Sequence, residues 1–235
     1  MCPALFLPIE SDGVMNNNQR MYSSLTRKVA LALSGLFLVV FLCIHLGVNL
    51  LLLRDDGGAA FTAAATFMST NPFVRPLEII LFTAFLLHMV NSVIVTVINR
   101  LSRPVRYLIA NRSETSFLSK YMIHLGGIIT VFLVLHFIDF YFVKIGLANP
   151  PEGVGRHDFY RMSVLLFTNP WYSLTYSLCF LALGFHLNHA VQSAFQTMGL
   201  NHSKYTMAIK AFSTTYAVLI AGGFMTIPLW FIFFR

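Results

Sequence analysis

The chain has 235 residues, 57% of them hydrophobic and only 11% charged, a balance that excludes an ordinary soluble domain and places the protein in a membrane. Sixteen basic residues against nine acidic ones leave a net charge of +7, which in a soluble chain would point to nucleic acid. Here topology and contact with anionic lipid account for it, and no nucleic-acid partner is expected.

Residues 1–24 are mixed and polar, without an apolar core behind a basic start or a small-residue cleavage site, and read as a cytoplasmic tail rather than a signal peptide. Residues 25–235 then form one all-α domain, an integral membrane bundle. Five stretches reach the length of about 20 apolar residues needed to cross a bilayer as helices: 28–53, 76–99, 121–145, 171–195 and 211–233. No repeat of 20 to 50 residues is visible, and connections are short except for two outer loops, 54–75 and 146–170. The second loop carries NPPEGVG and then NPW, turn-rich runs that set the entry to the fourth span.

Basic residues near span ends tend to remain in the cytoplasm. One side collects ten of them (Arg20, Arg27, Lys28, Arg100, Arg103, Arg106, Arg112, Lys120, Lys204, Lys210) and the other six (Arg54, Arg75, Lys144, Arg156, Arg161, Arg235). The expected orientation is therefore N-terminus inside and C-terminus outside, in a multi-pass membrane protein. Cys2, Cys43 and Cys179 are scattered and form no CxxC or CxxCH, so neither a disulfide framework nor covalently attached haem is supported.

Four successive spans each carry a histidine deep in the apolar stretch: His45, His88, His136 and His186. His45 lies 17 residues beyond Lys28 and His136 lies 16 beyond Lys120, which at the helical rise puts them roughly 25 and 24 Å from the inner flank. His88 is 12 residues before Arg100, roughly 18 Å from that flank, and His186, 15 residues after Trp171, falls near mid-membrane. Counting thus yields an outer pair, His45 with His136, and an inner pair, His88 with His186. A lone intramembrane histidine is ordinarily a packing residue or a proton relay. Four at two matched depths point instead to two bis-imidazole sites, each clamping one haem b from opposite faces. Gly47, Gly184, Gly126 and Gly127 beside these ligands would make room for a macrocycle.

Other polar residues are secondary candidates. His189 lies three residues after His186 on the same face, so spacing alone leaves both open as ligands, whereas depth favours His186. His124 sits at the inner interface, within reach of a propionate or a lipid head group. Asp139 follows His136 by three positions and lies toward the outer interface, where it could orient a group near the outer haem. Asp139 could equally snorkel to the surface or take part in proton exchange. His157 and His202 read as solvated loop residues.

The run RKVALALSGLFLVVFLCIHLGVNLLL, followed by DDGGAAFTAAATFMSTNPFVRPLEI, resembles the start of the cytochrome b anchor subunit of succinate:quinone oxidoreductases and fumarate reductases, in the five-helix, two-haem type. The resemblance continues through FTAFLLHMVNSV, GGIITVFLVLHFIDF and GFHLNHAVQSAFQTMGLNH, and covers roughly residues 20 to 235. Ala190 stands where the family usually has Gly, His189 is not an expected ligand and would instead neighbour a propionate or the quinone, and the first twenty residues match nothing placed. By the same resemblance the protein belongs in a bacterial cytoplasmic membrane and its quinone lies near the outer haem, where Asn49 and Asp139 are the polar candidates to hydrogen-bond a carbonyl, helix–helix bonding being the alternative. The resemblance implies ligation of two haems by His45, His88, His136 and His186. It also implies docking of a flavoprotein subunit with FAD and an iron–sulfur subunit on the cytoplasmic face, and reduction of a quinone, menaquinone in this type. The complex could also assemble into a higher oligomer. The dicarboxylate site would lie on the partner chains, since no dinucleotide fingerprint or iron–sulfur cysteine cluster is present here. Three alternatives keep the membrane fold: the di-haem cytochrome of a hydrogenase or formate dehydrogenase, which the FMSTNPF and HLGVN runs disfavour; a transporter or channel with histidine relays, which would usually carry inverted repeats or broken helices; and a purely structural anchor that has lost haem, which would have no need of four matched imidazoles.

Overall fold

The structure, a computed structural model, describes residues 17–101, 117–200 and 202–234, with side chains described from residue 25 in the first stretch and from 120 in the second. Residues 1–16, the loop arginines Arg103, Arg106 and Arg112, and Arg235 lie outside the described residues, as does the side chain of Arg20. Within them the chain is helical throughout, and five helices are long and apolar enough to cross a membrane: 25–53, 74–101, 120–145, 170–197 and 203–234.

Helix α1 (Asn17–Leu50) begins inside the stretch expected to be a tail and tightens into a 3₁₀ turn at Leu51–Leu53. The first long outer loop contains a helix. Asp56 accepts hydrogen bonds from the backbone N–H of Gly58 (3.0 Å) and Ala60 (3.2 Å), starting a short helix α2 (Ala59–Thr70) in an alanine-rich run that favours helix. Asn71 turns the chain into α3 (Val74–Leu101).

The third span is α4 (Phe117–His136), a π turn at Phe137–Tyr141, and α5 (Phe142–Ile145), stopped by Gly146 in the left-handed region at φ 85°. The second long loop also contains a helix, α6 (Phe159–Thr168), whose first turn is capped by Asp158 accepting from the Arg161 N–H at 3.1 Å. Asn169 caps α7 (Pro170–Thr197), with Pro170 in the first turn where its missing N–H is harmless. Helix α8 (Ser203–Phe234) starts well before the expected Ala211, because the polar residues SKYTMAIK continue the helix beyond the apolar stretch.

Around the bundle α1 runs along α3 on one side and α7 on the other, α7 runs along α4, and α4 returns to α3. The order is therefore α3, α1, α7, α4, and the diagonals are α1 with α4 and α3 with α7. Helix α8 packs outside this ring against α7 and α1. Its contact with α7 is close because Gly184 faces Ala221: a Cβ at Gly184 would lie 2.8 Å from that methyl. Without a hydrophobic drive between helices in lipid, such small-residue approach is what lets backbones associate. The best-buried residues (Tyr176, Phe224, Phe231, Leu52) cluster here, while α3 buries none of its residues and turns Ile79, Leu86 and Val93 outward, as a lipid-facing helix should.

Candidate functional site

The two diagonals are bridged by histidines. His45 of α1 meets His136 at the end of α4, ring centres 5.8 Å apart and planes at 82°. His88 of α3 meets His186 of α7, ring centres 6.5 Å apart and planes at 76°. The pairs counted from depth are thus the pairs brought together, each joining helices that do not run along one another.

Their surroundings differ. Phe41, one turn before His45, stacks on it at 5.2 Å, and Phe132, one turn before His136, stacks at 6.0 Å. Phe224 of α8 and Phe140 of the π turn complete an aromatic cage, at 5.7 Å from His45 and 5.2 Å from His136. The His88–His186 pair is flanked instead by glycine. A Cβ at Gly35 would fall 3.1 Å from Cε1 and 3.3 Å from Nδ1 of His88, and one at Gly126 would fall 3.9 Å from Cε1 of His186. Gly126 therefore serves His186 rather than His136, Gly184 serves the α7–α8 contact, and Gly47 and Gly127 face open space. Gly35 was not singled out from sequence; its signal is a glycine in the middle of an otherwise bulky span.

The Nδ1 atoms of His88, His136 and His186 are buried and without a hydrogen-bond partner. His45 differs: the Asn49 amide nitrogen donates to the His45 carbonyl at 2.7 Å and lies 3.4 Å from His45 Nδ1. Asn49 thus spends its polar group on a site histidine, within its own helix. Among the described residues no three His, Cys, Asp or Glu side chains converge, so each site offers two imidazoles.

Asp139 neither snorkels nor stands alone. Located on the π turn just past His136, its carboxylate accepts from Tyr176 Oη at 2.8 Å and from Tyr172 Oη at 3.2 Å. Both tyrosines sit on one face of α7, four residues apart, and sequence gave no reason to single them out until Asp139 was known to face that helix. Phe132 links this cluster to the histidines, touching both Tyr176 (5.0 Å) and His136. At the same end, Lys144 pairs with Glu78 at 3.0 Å and ties α5 to α3.

The remaining histidines lie apart. His189 is half-buried on α7, and it is His186 whose ring faces His88. His124 is exposed and packs against Tyr121; His157 and His202 are exposed. Comparison with protein-family models, curated proteins and solved structures found no match to this chain.

Proposed function

We propose that this chain is the cytochrome b membrane-anchor subunit of a succinate:quinone oxidoreductase, holding two b haems and passing electrons to a quinone. The observation that carries the cofactor part is the pair of cross-bundle imidazole clamps. Two imidazoles on opposite faces of one iron, with metal–nitrogen distances of about 2 Å, have ring centres about 6 Å apart. The separations of 5.8 and 6.5 Å fit that requirement.

The donor sets fit as well. A bare metal ion such as zinc takes four protein ligands, whereas a haem, whose porphyrin brings most of its own donors, would be held by the two imidazoles each site offers. Haem in such a site supplies reversible one-electron exchange. The chain's part is ligation, burial and orientation: His45 and His136 at one site within their aromatic cage, His88 and His186 at the other beside Gly35 and Gly126. Asn49 steadies His45 by donating to its carbonyl and approaching its Nδ1.

The oxidoreductase assignment rests on the sequence resemblance of the four spans and the FMSTNPF loop. It entails docking of the flavoprotein and iron–sulfur subunits on the side holding Arg27, Lys28 and Lys204, taken as cytoplasmic, with the inner haem at His88 and His186 receiving electrons and the outer haem at His45 and His136 delivering them to menaquinone. A pyridine haemochrome assay on the purified protein tests the cofactor: two protohaems per chain are expected, and none would overturn the proposal. Co-purification of succinate dehydrogenase activity with the tagged chain tests the partners.

A further inference from the structure

A shallow notch opens between α1 and α3 at the end of the bundle away from the His45–His136 pair. Arg27 and Lys28 line it from α1, and Val95, Ile98 and Asn99 line it from α3. The sequence explains the juxtaposition. Arg27 and Lys28 directly precede the apolar run of the first span, Asn99 and Arg100 come at the end of that of the second, and the two helices run side by side. The notch therefore straddles the level at which the spans pass from apolar to charged.

Charge selects the kind of ligand. The ion pairs among the described residues, Arg54 with Asp56 and Lys144 with Glu78, stand at the opposite end of the bundle. So does every described carboxylate: Asp55, Asp56, Glu78, Asp139, Glu152 and Asp158. Two cations thus share one notch, with Arg100 next along α3, and no described carboxylate neutralises them. Asn99 adds an amide that can donate to the same anion.

Size and walls narrow the choice. The notch encloses about 10 Å³, room for roughly one oxygen-sized group, so it takes the end of a ligand rather than a whole molecule. Val95 and Ile98 give it an apolar floor, and beside them α3 turns Val93 and Val97 outward. A ligand held by an anionic head can lay a chain along that surface, which is the build of a phospholipid seated between membrane helices. A soluble protein partner would use the cations but leave the apolar wall uncovered.

We propose that Arg27, Lys28 and Asn99 form a binding site for the phosphate of an anionic phospholipid whose acyl chain lies along the outward face of α3. The site requires no haem.

Native mass spectrometry of the full chain in detergent, titrated with dioleoylphosphatidylglycerol, dioleoylphosphatidylcholine or inorganic phosphate, tests this. The parent protein is expected to retain phosphatidylglycerol in preference to the other two. Arg27→Gln combined with Lys28→Gln is expected to weaken that binding about tenfold, whereas Lys204→Gln with Lys210→Gln, which removes equal charge at the same end, leaves it unchanged. Asn99→Leu changes no charge and blocks the notch, and is expected to weaken binding about threefold or more. Equal losses in the two charge variants reduce the effect to general surface potential and overturn the proposal. A parent without preference for the anionic lipid leaves the cations to a protein partner, and inorganic phosphate retained as well as the lipid makes the site one for free anions; either result overturns it. Loss of haem from the Arg27 and Lys28 variant, with lipid retained, assigns the cations to a propionate and does the same. Should that variant fail to fold, Asn99→Leu, at an exposed position, decides alone. Absence of haem from the parent bears on the cytochrome reading only.

Discussion

At the scale of single residues, His186 and not His189 faces His88, and on the proposed reading this makes His186 the ligand. His186→Ala should leave one haem of two, with the outer spectrum retained, whereas His189→Ala should keep both; difference spectra of the purified variants check this. Gly35 makes a sharper test of the same site. A leucine there would have to occupy the space of the His88 ring, so Gly35→Leu should abolish the inner haem although no ligand has changed, again read from haem content. Depth counting could match the four histidines into the two pairs that face each other because a helix converts residue number into height. It could not recover Asn49 or Gly35, whose roles depend on helix rotation and on which neighbour stands opposite. Asp139 was legible as an intramembrane carboxylate, but not its partners, since hydroxyl groups of tyrosine are unremarkable in an apolar span until a charge is seen beside them.

The elements carry the next level of constraint. The buried Tyr176 hydroxyl bonds Asp139 and ties the π turn to α7, so Tyr176→Phe leaves the carboxylate with Tyr172 alone. The expected loss is about 1–3 kcal/mol, measurable as a lower thermal midpoint in detergent. Between α7 and α8 the close approach at Gly184 leaves no room for a branched side chain, and Gly184→Leu should destabilise the protein by about 1–3 kcal/mol through overpacking, by the same measurement. The five spans were legible in the sequence since lipid demands uninterrupted apolar helix. The short helices α2 and α6 were not, because their apolar runs fall below spanning length and turn residues dominate the loops that hold them; only the capping geometry of Asp56 and Asp158 makes them visible.

For the whole molecule, the ring order α3, α1, α7, α4 matters more than any one contact, since it sets which histidines can meet. Sequence could match the pairs by height yet not order the helices, because height along the membrane normal says nothing of position within its plane. The expected topology is checked by introducing a cysteine at residue 235 in a chain lacking Cys2, Cys43 and Cys179 and labelling intact cells with a membrane-impermeant maleimide; modification is expected, and protection would invert the orientation. The diagonal arrangement also bears on how the protein is made. His45 finds its partner on the third membrane segment to emerge, His88 only on the fourth, and the fifth contributes none. A nascent chain halted after the third segment already owns both histidines of one pair and one of the other, so on the proposed reading the first pair can take up its haem while translation is still under way.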